Sequence, residues 1–194
     1  MHVTPRWLDA METTISRIGE GGVTTPAGFR AAGVSCGIKK AGAGPPRLDL
    51  AIVAADGAVA AAGIFTTNRA VAAPVVVSRD HLARSGGRAV AIVTNSGCAN
   101  ACTGAAGLQV ARDMAAAAAA ALGCDPTQVL VASTGVIGVQ LDIAKVRAGI
   151  SAASRALSVD GSADATLAIM GARRSECRRR GAHRSRMAAR SRDD

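Results

Sequence analysis

Apolar residues along the chain cluster into short segments separated by polar, glycine-containing turns. The segments LDLAIVAADG, RAVAIVTNSG and PTQVLVASTGVIG are rich in Val, Ile and Ala and end in such turns, which is typical of buried strands. The dipeptide Asp56–Gly57 followed by AVAAAGIF predicts a hairpin. A further strand is predicted in APVVV, and short extended segments follow the Pro and Gly turn of GGVTTPAGF.

Four helices are predicted from local signals. The stretch Ala105–Leu122 is rich in alanine, the residue with the highest helix propensity, and Gly123 follows it as a left-handed cap. Asp142 is predicted to cap the next helix, and SADATLAIM begins another. A short helix is predicted to start at a Ser78 cap and to end at Gly86–Gly87.

Strands and helices alternate, so the predicted fold class is α/β, a layered sheet-and-helix sandwich. Aromatic residues make up only 2% of the chain, and its core must therefore be built from Val, Ile, Leu and Ala. We expect a flexible N-terminal extension over residues 1–20, one domain over residues 21–170, and an arginine-rich tail over residues 171–194.

The charge of the chain is concentrated in that tail. The formal net charge is +9, and residues 171–194 carry nine Arg against Glu176, Asp193 and Asp194. The body of the chain is close to neutral, which argues against a nucleic-acid-binding domain. For the tail, three interpretations compete: an arm that binds a nucleic acid, an ordinary disordered terminus, and translation in a shifted reading frame of a GC-rich gene.

Several other function classes have no support in the sequence. The five cysteines form no CxxC pair, and Cys98 and Cys102 have no third ligand nearby, so no metal site is expected. An odd number of cysteines without a secretory signal predicts reduced thiols and a cytoplasmic location. There is no apolar run of the roughly 20 residues that a membrane span needs, and no nucleotide-binding glycine motif.

Two polar glycine loops could carry chemistry. In Thr94–Gly104, the residues Asn95, Ser96, Asn100 and Thr103 precede the alanine-rich helix. They could hold an anion at the helix N-terminus, or they could cap the helix and satisfy their own turn. From the residues alone, both interpretations stay open.

The second loop is VASTGVIG, in which an apolar strand meets Ser133, Thr134 and Gly135. Glycine lets its backbone N–H approach a ligand, and the adjacent threonine hydroxyl adds a second donor. Such a pair can stabilise the oxyanion that develops in acyl transfer. An ordinary turn at the end of a strand is the alternative.

Five motifs in order carry a resemblance to a known family: VTTPAGFRAAGVSCGIK, AAGIFTTNRAVAAPV, VTNSGCANACTG, VLVASTGVIG and LSVDGSADATLAIM. They resemble the N-terminal, or α-chain, region of the glutamate N-acetyltransferase (ornithine acetyltransferase) family of arginine biosynthesis, from about Val23 to Met170. The resemblance implies a fold of that ornithine acetyltransferase type, incomplete without a β chain.

The resemblance also implies a mechanism. Members cleave themselves before a threonine, the α and β chains stay together as α2β2, and the new N-terminal threonine is the nucleophile. It takes acetyl from N2-acetylornithine and passes it to glutamate. Some members accept acetyl-CoA as the donor, and no other cofactor is implied. In that scheme Thr134 and Gly135 form the oxyanion hole. The aminopeptidases of the same fold are an alternative that the arginine-pathway motifs disfavour.

The chain departs from the family pattern in two places. Val71 stands where a lysine is usual, and Gly171 and Ala172 stand where the family has threonines, the first of which contacts the substrate. No part of residues 171–194 matches the segments that follow, and the nucleophile is missing. We therefore expect a chain truncated or frame-shifted after Met170, inactive by itself and poorly soluble. A non-catalytic binding module with a nucleic-acid-contacting tail is the alternative.

Overall fold

A computed structural model describes residues 21–39 and 47–170 of the chain. The expected N-terminal extension and arginine-rich tail lie outside the described residues, as does Gly171. The strands are β1 Phe29–Val34, β2 Leu50–Ala60, β3 Arg88–Cys98 and β4 Val129–Val136. The helices are α1 Ala73–Arg84, α2 Gly104–Leu122, α3 Ile143–Arg155 and α4 Ser162–Ile169, and Pro126–Gln128 forms a 3₁₀ turn before β4.

The four strands form one mixed sheet in the order β1-β2-β3-β4. Both β1–β2 and β2–β3 are antiparallel, whereas β3 and β4 are parallel, with Asn95 opposite Ser133 and Gly97 opposite Gly135. Parallel neighbours need a crossover connection, which α2 supplies. The carboxyl ends of β3 and β4 therefore meet at one edge of the sheet.

Each face of the sheet has its own core. On one face, Leu50, Ile52 and Val93 pack with Met114 and the small residues of α2 and with Val146 and Ile150 of α3. On the other face, α4 lies across β1 and β2 through Ala165 and Ala168. The small side chains allow close approach of helix and sheet. The predicted α/β class, with helices layered on a sheet, is confirmed.

The sequence correctly predicts the caps of helices α2 and α3. Helix α2 ends at Leu122, and Gly123 follows with φ 71° in the left-handed conformation. Asp142 caps α3 by accepting hydrogen bonds at Oδ1 from the backbone N–H groups of Ala144 at 3.0 Å and Lys145 at 3.4 Å. Both predictions are confirmed.

The hairpin predicted at Asp56–Gly57 is wrong. Strand β2 continues through this dipeptide to Ala60, and its pairing with β3 shifts register between Ala54 and Val59. Gly57 is not among the residues with positive φ, which a tight two-residue hairpin turn would need. The extra residues are accommodated as an irregularity within one strand.

The strand predicted in APVVV and the cap predicted at Ser78 are also wrong. Helix α1 begins at Ala73, with Pro74 in its first turn, and Ser78 is buried in its middle. The Ser78 hydroxyl donates to Val131 O at 2.7 Å and accepts from Val131 N at 2.8 Å, both on the outer edge of β4. His81 Nδ1 donates to Val129 O at 2.9 Å. Helix α1 thus supplies partners for an otherwise unpaired strand edge.

Candidate active-site cleft

A cleft of about 1330 Å³ lies at the carboxyl ends of β3 and β4. Ligands of open α/β sheets commonly bind at such an edge. Its walls come from the ends of both strands, the segment before α3, the segment before β2 and the C-terminal end of α4. The lining residues include Gly97, Cys98, Thr134, Gly135, Val139, Lys39, Arg47, Asp142, Lys145, Thr166, Ile169 and Met170.

Thr134 and Gly135 lie exposed on the wall of this cleft. Strand β4 extends through them to Val136, where the sequence predicted a turn. Gly135 has φ +136°, in the region that favours glycine, and a Cβ there would lie 2.3 Å from the carbonyl carbon of Gly97. Only a glycine fits this close approach of two backbones. The role of Thr134 and Gly135 as oxyanion donors stays a prediction.

The polar residues of Thr94–Gly104 are engaged within the fold. Asn95 Nδ2 donates to Cys98 O at 2.9 Å, and Asn95 Oδ1 accepts from Ser133 Oγ at 2.6 Å. Asn100 is buried as well, its Nδ2 donating to Gly107 O at 2.9 Å. Among the residues that the structure describes, no buried side-chain polar atom lacks a partner. The structure therefore favours the interpretation in which this loop satisfies itself and fixes the ends of β3 and β4.

Positive charge predominates in the cleft. Lys39, Arg47 and Lys145 line it, against the single carboxylate of Asp142. Lys145 Nζ lies 3.9 Å from Asp142 Oδ2 and donates to Gly37 O at 3.2 Å. This excess of cations favours ligands that carry a carboxylate. The sequence analysis missed all three cations, because only the fold brings residues 39, 47 and 145 to one edge.

A buried carboxylate organises one side of the cleft. Asp49 is fully buried and accepts from the backbone N–H groups of Cys36 at 2.7 Å, Ile38 at 2.7 Å and Lys39 at 2.9 Å. Three such bonds compensate the loss of hydration of the carboxylate. An acidic residue at the start of an apolar strand was the signal that the sequence analysis passed over.

The thiol of Cys36 is not suited to act as a nucleophile. Burial, and then the negative charge of Asp49, raise the pKa of Cys36 to about 12, so the thiol is protonated at neutral pH, whereas the thiolate is the reactive form. In residues 21–39 and 47–170, no three His, Cys, Asp or Glu side chains come together as a metal site. Within the same ranges, no helix has the length and hydropathy to cross a membrane.

Comparisons with known proteins agree with this fold. Residues 30–180 match the ArgJ family. The arginine biosynthesis bifunctional proteins ArgJ of Symbiobacterium thermophilum and Gloeobacter violaceus are 53% and 48% identical over 150 and 151 residues, which are 77% and 78% of this chain. The chain spans only 36% of the length of these curated relatives.

Solved structures give the same result. The ornithine acetyltransferase of Mycobacterium tuberculosis, complexed with ornithine, superposes with a TM-score of 0.71 at 44% identity, covering 77% of this chain and 78% of the solved one. The ArgJ protein of Bacillus halodurans has a TM-score of 0.69 at 34% identity, covering 77% and 75%. The resemblance seen in the five motifs is confirmed, and the chain belongs to the ArgJ family.

Proposed function

We propose that this chain is the α-chain part of an arginine-biosynthesis acetyltransferase that moves acetyl from N2-acetylornithine to glutamate. Membership of the ArgJ family supports the reaction class. The observation that carries the proposal is the exposure of Thr134 and Gly135 on the wall of a cleft with a cationic lining. Both proposed substrates carry a carboxylate that such a cleft can attract.

In the proposed reaction, the hydroxyl oxygen of a β-chain threonine attacks the acetyl carbonyl of N2-acetylornithine. The Thr134 hydroxyl and the Gly135 N–H donate hydrogen bonds to the oxyanion that forms. The intermediate expels ornithine, whose amine takes up the proton, and an acetyl ester stays on the threonine. The amine of glutamate then attacks this ester, the threonine oxygen leaves and takes up the proton of the amine, and N-acetylglutamate is released. Acetyl-CoA could serve as the donor in the first half, with CoA thiol as the leaving group.

The proposal includes a partner. The β chain arises by self-cleavage of a longer precursor and assembles with the α chain as α2β2 in the cytoplasm. Val136, Ile137 and Val139 beside the cleft are 58%, 63% and 52% exposed, as expected of residues that a further chain covers. The nucleophile would come from that chain, so the present chain alone is proposed to be inactive.

The decisive experiment tests acetyl transfer by an assembled enzyme. The 194-residue chain is co-produced with the part of the Symbiobacterium thermophilum relative that it does not match, and transfer of acetyl from N2-acetylornithine to glutamate is measured. The same part of the relative, paired with the relative's own matched segment, is the positive control. Inactivity of the first pair beside an active control would contradict the proposed function.

Thr134→Val removes the hydroxyl at nearly constant volume and should lower kcat by roughly 10²–10³, the cost of one oxyanion donor. Thr134→Ser keeps the hydroxyl and should stay within about tenfold of the unsubstituted chain. Equal losses in both variants would contradict a donor role for the hydroxyl. Assembly of each variant is checked by size-exclusion chromatography.

A further inference from the structure

The side chain of Lys39 reaches from the segment before β2 to the C-terminal end of α4. Its ammonium Nζ donates to Leu48 O at 2.6 Å, Met170 O at 2.9 Å and Ala168 O at 3.3 Å. An ammonium has three N–H donors, and here each has a main-chain carbonyl as its partner. Lys39 lines the cleft, yet no N–H remains with which it could bind a substrate.

The carbonyl groups at the end of α4 explain why a positively charged side chain is favourable at this position. The last carbonyls of a helix have no partner within the helix and carry the negative end of its dipole. Ala168 O also accepts from the Ser96 hydroxyl of β3. Helix α4 has only eight residues, too few to be stable by itself. The position of its C-terminal end therefore depends on tertiary contacts, which Lys39 and Ser96 supply in addition to the packing of Ala168 on the sheet.

The backbone of Lys39 is itself held rigidly. Its N–H donates to buried Asp49 Oδ2 at 2.9 Å. It also lies against β3, where a Cβ at Gly97 would be 3.2 Å from both Lys39 N and Lys39 Cγ. The lysine thus links the end of α4 to two central strands. Burial, and then the charge of Arg47, lower the pKa of this half-buried ammonium.

The end of α4 forms the part of the cleft wall that Thr166, Ile169 and Met170 line, in the same cavity as Thr134 and Gly135. Displacing one part of such a site by about 1 Å can reduce the rate roughly 10²-fold. We propose that Lys39 is a positioning residue, which clamps the C-terminal end of α4 and so sets the geometry in which the acyl group meets the oxyanion donors. The kinetic consequence of this inference rests on the proposed function, whereas the clamp itself rests on the contacts of Lys39.

The clamp is tested first without any assay of activity. Lys39→Met removes the three donors but keeps a long apolar side chain. Hydrogen–deuterium exchange of the peptide covering 162–170 in the 194-residue chain should become at least about fivefold faster, while the α2 peptide 104–122 is unchanged. Arg88→Met is the matched control, because Arg88 also donates to a main-chain carbonyl, that of Ala58, but in the strands away from the cleft. It should leave 162–170 unchanged.

The kinetic consequence is measured in the co-produced pair. Lys39→Met should lower kcat about 10- to 100-fold with KM within about threefold, and Arg88→Met should change neither by more than about twofold. If Lys39→Met fails to fold, Lys39→Gln replaces it, since its amide keeps two donors and should give a smaller change in the same direction. Unchanged exchange at 162–170 overturns the clamp. Faster exchange with unchanged kcat overturns positioning and leaves Lys39 a merely structural residue.

The outcomes for the two proposals are distinguishable. If the unsubstituted pair transfers no acetyl beside an active control, the proposed function and the kinetic consequence both fall. The exchange measurement still decides whether Lys39 clamps α4, because it needs no β chain and no substrate.

Discussion

At the scale of single residues, the cleft depends on positions whose side chain is small or absent. Gly97 and Gly135 face each other across β3 and β4, and both have positive φ. Their lack of a Cβ lets the two strand ends approach closely beside Thr134. The polar residues around them are hydrogen-bonded within the fold, and Thr134 and Gly135 lie exposed beside them.

Substituting Gly135 by alanine should therefore be costly. The added Cβ would lie 2.3 Å from Gly97 C and 2.6 Å from Cys98 N, and both neighbours are backbone atoms that cannot rotate away. We expect a loss of about 3 kcal/mol or more in the free energy of unfolding, measured by urea denaturation.

Gly138→Ala is the matched control, since Gly138 has φ +79° but no atom within 4 Å of the position that an added Cβ would take. There only the backbone conformation resists the substitution, and we expect a loss of about 1–2 kcal/mol. Equal losses at the two positions would show that the backbone contact at Gly97 does not matter.

The Cys36 thiol should make the stability of the chain depend on pH in the alkaline range. Its pKa is raised from 9.0 to about 12 in the folded state, first by burial. The folded state holds this proton more tightly, so the contribution is fully present below pH 9 and is lost as pH rises toward 12. The free energy of unfolding of Cys36→Ala should fall less between pH 9 and 11 than that of the unsubstituted chain. Cys102→Ala, at an exposed cysteine, should keep the original slope, and an identical slope in all three proteins would refute the assignment.

At the scale of elements, the features that the sequence predicted correctly are those that neighbouring residues determine. The caps of α2 and α3 need only neighbouring residues, and both were predicted from Gly123 and Asp142. The segment Ala73–Val77 was misread because its valines favour a strand, whereas Pro74 suits the first turn of a helix that packs against β4. At Asp56–Gly57, the pairing of β2 with β3 on both sides of the dipeptide prevailed over a turn signal.

The same distinction explains how far the cleft could be predicted. Thr134 and Gly135 were identified because they end an apolar segment in the sequence itself. Lys39 was missed because two of its partners are distant in the chain: the lysine contacts Ala168 and Met170, about 130 positions away. Local patterns contain no information on such pairs.

Ser78 offers a test of how α1 covers the edge of β4. Its hydroxyl bonds to both the N–H and the carbonyl of Val131 in a buried site. Ser78→Ala leaves both backbone groups without a partner and should cost about 2–3 kcal/mol in the free energy of unfolding. Ser154→Ala, at a half-buried serine of α3 whose hydroxyl bonds within its own helix, should change it by less than about 0.5 kcal/mol. Similar small changes in both variants would show that water replaces the Ser78 contacts.

At the scale of the whole molecule, helices cover the two faces of the sheet to different extents. Helices α1, α2 and α3 cover one face of the sheet, whereas α4 on the other face lies mainly on β1 and β2. Ile92 of β3, opposite Leu130 of β4, is 45% exposed on that side, and Leu167 of α4 is 52% exposed. An uncovered sheet face and an apolar cleft rim are typical of a surface that binds another chain.

The isolated chain should therefore associate through these surfaces. We expect concentration-dependent oligomers in analytical ultracentrifugation, binding of the dye ANS, and a broad thermal transition, because exposed apolar surface is removed from water on association. Ile92→Lys places a charge on the uncovered face and should reduce both ANS binding and oligomer formation. Ile64→Lys is the control, since Ile64 is fully exposed in the segment between β2 and α1, next to Phe65, whose ring contacts Arg79 of α1. A monomer with a sharp, cooperative melt and no ANS binding would show that the described residues form a self-sufficient domain, and the argument for a covering chain would lose its structural basis.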